Sequence, residues 1–154
     1  MPDQFHGKLY HKTPPWVDDG AIFHIRIRVD AANALPLTEP CLAQRLLDSV
    51  RFYESRARWY PHLFLLMPDH LHALLGFDLR ADSVAHIIGD WKGFHKRQNG
   101  VRWQENFFDH RIRDRAEFDE KASYIRMNPV RKRLCDATEN WPFVVDRTAT
   151  APSQ

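Results

Sequence analysis

At 154 residues, 44% apolar and 12% aromatic, the chain suits one packed domain and excludes a disordered polypeptide. Two cysteines, Cys41 and Cys135, exclude a disulfide framework and a cysteine-rich zinc site. The net charge is only +2, but residues 91–134 hold twelve Lys/Arg against six Asp/Glu, while residues 1–90 hold nine against eleven; a basic surplus confined to one segment suits a surface that meets phosphates.

Residues 1–20 read as an N-terminal arm. Thr13-Pro14-Pro15 and Asp18-Asp19-Gly20 are turn chemistry, with Trp16 placed to anchor the arm. The first residues lack a signal peptide's apolar core, and the longest apolar run, residues 63–67, is far too short to span a bilayer. A cytoplasmic protein with no membrane partner is the expectation.

Residues 21–30 alternate strictly. Phe23, Ile25, Ile27 and Val29 face one way, and His24, Arg26 and Arg28 the other, as in a half-buried strand. That basic face suits metal or phosphate, but an ordinary solvent face is the simpler reading. After a loop, Thr38 is placed to cap a helix of roughly 18 residues. Leu42, Leu46, Leu47, Val50, Tyr53 and Ala57 form its apolar stripe.

Residues 58–67 read as a second strand and residues 70–77 as a third, joined at Pro68-Asp69 as an antiparallel hairpin. The third strand opens on His70-Leu71-His72. Side chains on a strand alternate with a period of two, so both histidines share a face. Two adjacent imidazoles suit one divalent metal ion, although His-x-His also arises by chance. A second helix follows, capped by Asp82 or Ser83, with Val84, Ile87, Ile88, Trp91 and Phe94 inward and Asn99-Gly100 at its end. A short fourth strand is expected within residues 101–108.

Residues 115–127 read as a third helix, with Phe118, Ala122 and Ile125 as its apolar stripe. Pro129 restricts Asn128 away from helical angles, so the helix should end or kink there. Glu117, Lys121, Tyr124 and Asn128 share another face of that helix. Tyr124 is a candidate nucleophile once a metal neutralises its target or a base takes its proton. The amide oxygen of Asn128 suits Mg²⁺ or Mn²⁺. The same two residues also read as a half-buried core tyrosine and a helix cap. A basic stretch, Arg131-Lys132-Arg133, follows. From residue 136 the chain looks irregular, with Trp141-Pro142-Phe143 packing back. The domain is expected over residues 21–142, with 143–154 an irregular tail and residues 146–154 disordered. The order of elements predicts an α+β fold: a ferredoxin-like antiparallel sheet with its helices on one face.

Pro68-Asp69-His70-Leu71-His72, followed by Tyr124-Ile125-Arg126-Met127-Asn128-Pro129-Val130-Arg131, resembles the single-tyrosine HUH transposases, and most closely their relatives the REP-associated tyrosine transposases. Phe23-His24, Lys92, Trp103-Gln104, Phe107-Phe108-Asp109-His110 and Arg113-Asp114 fit the same pattern, which covers roughly residues 14–142. The resemblance implies an HUH endonuclease fold in which His70, His72 and Asn128 hold Mg²⁺ or Mn²⁺ and Tyr124 attacks DNA. The product would be a 5′-phosphotyrosine and a free 3′-OH, in metal-dependent nicking and strand transfer of single-stranded DNA near hairpins. Lys92, Lys96, Arg97, Arg102, Arg111, Arg113, Arg126, Arg131, Lys132 and Arg133 are the candidate phosphate contacts, and Trp103, Phe107 and Phe108 the candidate stacking residues. Water, Lys121 or the metal are the alternatives for taking the tyrosine proton. The family implies a monomer or a homodimer, the latter with Tyr124 acting in either chain. The alternative reading is a domesticated hairpin-DNA-binding protein without turnover.

Overall fold

The computed structural model describes residues 16–148. The expected arm before Trp16 and the last six residues of the expected tail lie outside them. A short helix α1 (Trp16–Asp19) leads into β1 (Ala21–Arg28), α2 (Pro40–Ser55), β2 (Tyr60–Leu66), β3 (His70–Phe77), α3 (Val84–Asn99), β4 (Phe108–Arg111) and α4 (Arg115–Arg131). A 3-10 turn (Thr138–Asn140) precedes β5 (Val144–Asp146). The five strands form one sheet of order β4-β1-β3-β2-β5, antiparallel throughout.

Residues alternate across the sheet, and each face builds its own core. Ile25, Ile27, Phe64, Leu66, Leu71, Ala73, Leu75 and Phe77 point to one face, where they meet Leu42, Leu46 and Val50 of α2 and Ile87, Ile88 and Trp91 of α3. Leu63, Leu65, Met67 and Leu74 point to the other, where they meet Phe118, Ala122 and Ile125 of α4, together with Trp141. The α+β sheet is as expected, but the helices do not all lie on one face. The apolar stripe of α4 matches the even-numbered residues of β3, so α4 covers the face that carries His70 and His72. Every residue of β3 is buried, because it is the middle strand and covered on both sides.

Several local expectations shift. The first long helix is capped by Glu39 rather than Thr38, its carboxylate accepting the Leu42 N–H at 2.8 Å, with Pro40 as first residue. Ser83 caps α3 by accepting the His86 N–H, and Gly100, at φ 68°, ends it. The fourth strand is Phe108–Arg111; of residues 101–104, only Trp103 makes a bridge, to Val29. Helix α4 runs through Pro129 to Arg131. Proline there removes one donor in the last turn, while Lys132 and Leu134 still donate to the Asn128 and Pro129 carbonyls at 3.0 and 2.9 Å. Val144–Asp146, expected to be irregular, pairs with Leu63–Leu65 as the sheet's edge strand. Trp141 packs back as expected, donating its indole N–H to the Leu66 carbonyl at 3.0 Å.

Candidate active site

The hairpin places the two histidines at the start of β3, where the Met67 N–H donates to the His70 carbonyl at 2.8 Å. Strand register then decides what stands beside them. Arg28 lies opposite His70 and Arg26 opposite His72, so both guanidinium groups share the histidines' face. Helix α4 is fixed over this face at its N-terminus. Asp114 accepts the Glu117 N–H at 2.8 Å, and the buried Glu117 carboxylate accepts the Arg113 N–H at 2.7 Å and His110 Nε2–H at 2.6 Å. The Arg113 N–H, and then His110, hold the Glu117 carboxyl down to about 2. About two turns on, the face that carries Glu117 brings Tyr124 over the histidines, and one further turn brings Asn128.

The result is a cavity of about 420 Å³ lined by Arg26, Arg28, Asp69, His70, His72, Tyr124, Asn128 and Lys132, among others. His70, His72 and Asn128 are buried, whereas Tyr124 is 50% exposed. The Tyr124 ring stands edge-on to His72, with centroids 6.0 Å apart, and both belong to one chain. The Asn128 amide nitrogen lies 3.5 Å from His70 Nε2; turning the amide over puts its oxygen there instead. The sequence-predicted His70, His72, Tyr124 and Asn128 therefore converge.

Each histidine has its Nδ1 occupied by a close protein partner, and the His70 Nε2 meets only the Asn128 amide at 3.5 Å. His70 Nδ1 is 2.7 Å from the Asp69 carboxylate, and His72 Nδ1 is 3.1 Å from His24 Nε2. That leaves Nε2 of each ring as the nitrogen able to serve the cavity. Burial pushes the His72 imidazole down to about 2, with neighbouring His70 and His24 and the two arginines adding to it. Burial also holds His70 below its ordinary value, despite the opposing Asp69 carboxylate. Both rings are thus neutral near pH 7, the form that ligates metals. Two neutral imidazoles and an amide fit a divalent ion that keeps further oxygen ligands. Among the described residues, no three His, Cys, Asp or Glu side chains form a metal-holding group, so Asn128 would have to supply the third protein ligand.

The predicted phosphate contacts divide. Lys132 lines the cavity. Arg131 lies against Tyr124, with its guanidinium 4.4 Å over the ring and Nη2 donating to the Tyr124 carbonyl at 2.9 Å. Arg126 donates to Thr148 Oγ1, and Arg113 is paired to Glu117. Arg111 and Arg133 are exposed, on β4 and just past α4, and Arg97 is exposed on α3. Lys92, Lys96 and Arg102 line a second concavity that shares no residue with the first, and Lys92 clips the Gln104 and Glu105 carbonyls at 3.0 and 3.2 Å. Trp103 is half-buried beside Trp91, with ring centroids 5.5 Å apart, and lines the second concavity; Phe108 is exposed beneath Arg26. Arg26 and Arg28, for which a solvent face is the simpler reading of the sequence, line the cavity. Their period-two spacing with His24 was visible in the sequence, but their register against His70 and His72 was not.

No family model matches the chain. It is 26% identical to a Haemophilus influenzae protein provisionally named a REP-associated tyrosine transposase, over 59% of this chain and 62% of that protein. It is 24% identical to the Escherichia coli REP-associated tyrosine transposase, over 52% of this chain and 50% of that protein. The chain thus spans between one half and some three fifths of the length of these curated relatives. A solved structure of a REP-associated tyrosine transposase bound to a REP hairpin superposes with a TM-score of 0.70 at 19% identity, covering 81% of this chain and 76% of that one. Among the described residues, no helix is long and apolar enough to cross a membrane. With two histidines, a tyrosine and an asparagine brought to one basic cavity, the chain is a homologue of proteins named REP-associated tyrosine transposases and has the fold of a solved one.

Proposed function

We propose that the protein nicks and rejoins single-stranded DNA beside a hairpin, with Tyr124 as the nucleophile and a divalent ion, Mg²⁺ or Mn²⁺, held by His70, His72 and Asn128. The carrying observation is the placement of a half-exposed tyrosine edge-on to a buried His-x-His pair in one chain. The ion, when bound, supplies positive charge to the phosphate under attack. The chain's own residues supply the rest. Arg26 and Arg28, standing opposite the histidines in the register, hold the scissile phosphate's oxygens. Lys132, across the cavity, grips a neighbouring phosphate.

Tyr124 Oη then bonds to phosphorus, the P–O3′ bond breaks, and the tyrosine proton leaves through the open side of the site. The 5′ phosphate remains on the tyrosine, and the departing O3′ takes up a proton from solvent, so the leaving strand ends in a 3′-OH. Attack by a 3′-OH reverses the bonding and frees Tyr124, so one phosphodiester is exchanged for another without a high-energy cofactor. The tyrosine beside His72 belongs to the same chain, which supports attack within one chain.

The test is a labelled DNA hairpin with single-stranded flanks, incubated with the protein and Mg²⁺ or Mn²⁺. A covalent protein–DNA adduct is expected with the wild type and none with Tyr124→Phe. Hairpin binding without adduct under either ion would overturn the strand-transfer reading and leave a DNA-binding protein without turnover.

A further inference from the structure

We propose that His24 is a positioning residue for the ion site: it accepts the His72 Nδ1 proton and so fixes the tautomer that presents the His72 Nε2 lone pair to the cavity. This rests on the metal reading above.

The two ligand histidines are oriented by different chemistry. For His70 the partner is the Asp69 carboxylate, 2.7 Å from Nδ1. A carboxylate accepts, so Nδ1 carries the proton and Nε2 keeps its lone pair. For His72 the partner is another imidazole, His24, whose Nε2 lies 3.1 Å from His72 Nδ1. The pair shares one proton, and two arrangements are possible. If His24 donates, the His72 proton sits on Nε2, which then has no lone pair to offer. If His72 donates, Nε2 is free for an ion, and His24 carries its own proton on Nδ1.

In both arrangements the other nitrogen of His24 is left over. His24 Nδ1 is buried and has no hydrogen-bond partner among the described residues. The orphan nitrogen is common to both arrangements and does not choose between them; what His24 Nε2 offers is an acceptor 3.1 Å from His72 Nδ1, and accepting there leaves the His72 Nε2 lone pair for the ion. The pair is closely enclosed. His24 is 5% exposed, its ring stacks on His72 with centroids 5.3 Å apart and planes at 27°, and the edge of Phe108 closes the other side at 5.5 Å. The contact is diagonal in the sheet, since Leu74, not His72, stands opposite His24. His24 is not itself a ligand, because its Nε2 is spent on His72 and its Nδ1 is buried. This assigns a task to a residue that its strand alone suggests is only part of a polar face.

The experiment uses the full chain and three proteins: wild type, His24→Phe and His24→Gln. Phenylalanine keeps a flat ring and removes the acceptor, whereas glutamine restores an acceptor oxygen within reach of the Nε2 position. Mn²⁺ affinity is measured from the free-ion electron paramagnetic resonance signal. The His72 tautomer in Mg²⁺ is read from long-range proton–nitrogen correlations of the imidazole ring. The expected result is a ten- to hundredfold weaker Mn²⁺ affinity in His24→Phe, most of it recovered in His24→Gln, with wild-type His72 protonated on Nδ1. Thermal unfolding of each variant shows whether it is folded, and glutamine keeps the question open should phenylalanine fail to fold. Mn²⁺ binding by folded His24→Phe within about twofold of wild type overturns the role of His24 alone. So does a glutamine variant as weak as the phenylalanine one, or a wild-type His72 protonated on Nε2. A wild type that binds neither ion overturns the metal reading itself, and this inference with it.

Discussion

The two faces of the sheet each bury histidine, and they treat it differently. On the face packed by α2 and α3, His95 is fully enclosed. Its Nε2 is 2.8 Å from Ser49 Oγ, its Nδ1 is 2.8 Å from the Asn99 amide nitrogen, and Trp91 donates to the same Ser49 hydroxyl at 2.8 Å. Both ring nitrogens are used within the protein. On the face packed by α4, His70 and His72 are nearly as buried, yet each commits only Nδ1 to a close protein partner, and the His70 Nε2 meets the Asn128 amide at 3.5 Å. Burial lowers the pKa of His95 and of His72 alike, to about 4 and about 2. Neither burial nor a depressed pKa therefore marks a site. What distinguishes the two is a nitrogen left over beside a cavity, flanked by arginines and a half-exposed tyrosine.

The sharpest way to break this comparison is to truncate one large side chain on each face. Trp91→Ala should destabilise the fold by about 3–5 kcal/mol, since the ring is fully buried among Trp59, Phe64 and His95. Urea unfolding measures this. His72→Ala should cost less stability but weaken Mn²⁺ binding by more than about a hundredfold, as loss of a direct ligand exceeds loss of a supporting group. If the two variants lost stability and ion affinity in the same proportion, the division of labour between the faces would be wrong.

A smaller effect concerns pH. Burial holds His95 at about 4 in the folded chain, against an ordinary value of 6.5. Between these values the unfolded chain binds the extra proton, so this stabilisation is complete above pH 6.5 and is lost as pH falls toward 4. In His95→Gln the loss of stability between about pH 7 and pH 4 should be shallower by up to about 3 kcal/mol. Unfolding curves at the two pH values decide it; an unchanged slope would assign the acid sensitivity elsewhere.

The smallest effect lies at the rim of the cavity. Arg28→Gln should weaken hairpin-DNA binding several-fold and lower the slope of log affinity against log salt by about one, the signature of one lost phosphate contact. Arg113→Gln, whose guanidinium already pairs with Glu117, should change that slope less. An equal change in both would mean that the structure's ion pairs do not sort the basic residues.

Much of this was legible along the chain. Strand alternation announced β1, the hairpin announced β2 and β3, and the period of two placed His70 and His72 on one face. Helical periodicity put Tyr124 and Asn128 on one face of α4. These are local regularities, set by backbone geometry over a few residues. The cap at Glu39 was missed because Thr38 and Glu39 are both capable acceptors, and only the path of the loop chooses between them. Strand β5 was missed because three residues carry too little pattern, and its pairing comes from β2. The helix through Pro129 was missed because a proline in the last turn removes only one donor, and tertiary packing that buries Asn128 and Pro129 tolerates it.

The sequence by itself determined which side chains were available and how each was phased on its own element, because strand and helix periods are properties of the local backbone. Only the tertiary structure decided that α4 lies over the histidine face and that Arg26 and Arg28 stand opposite His72 and His70. It also decided that His24 reaches His72 Nδ1. Those outcomes depend on strand register and helix docking, which join residues about 50 apart by burying apolar surface far from the site, and no local pattern encodes them.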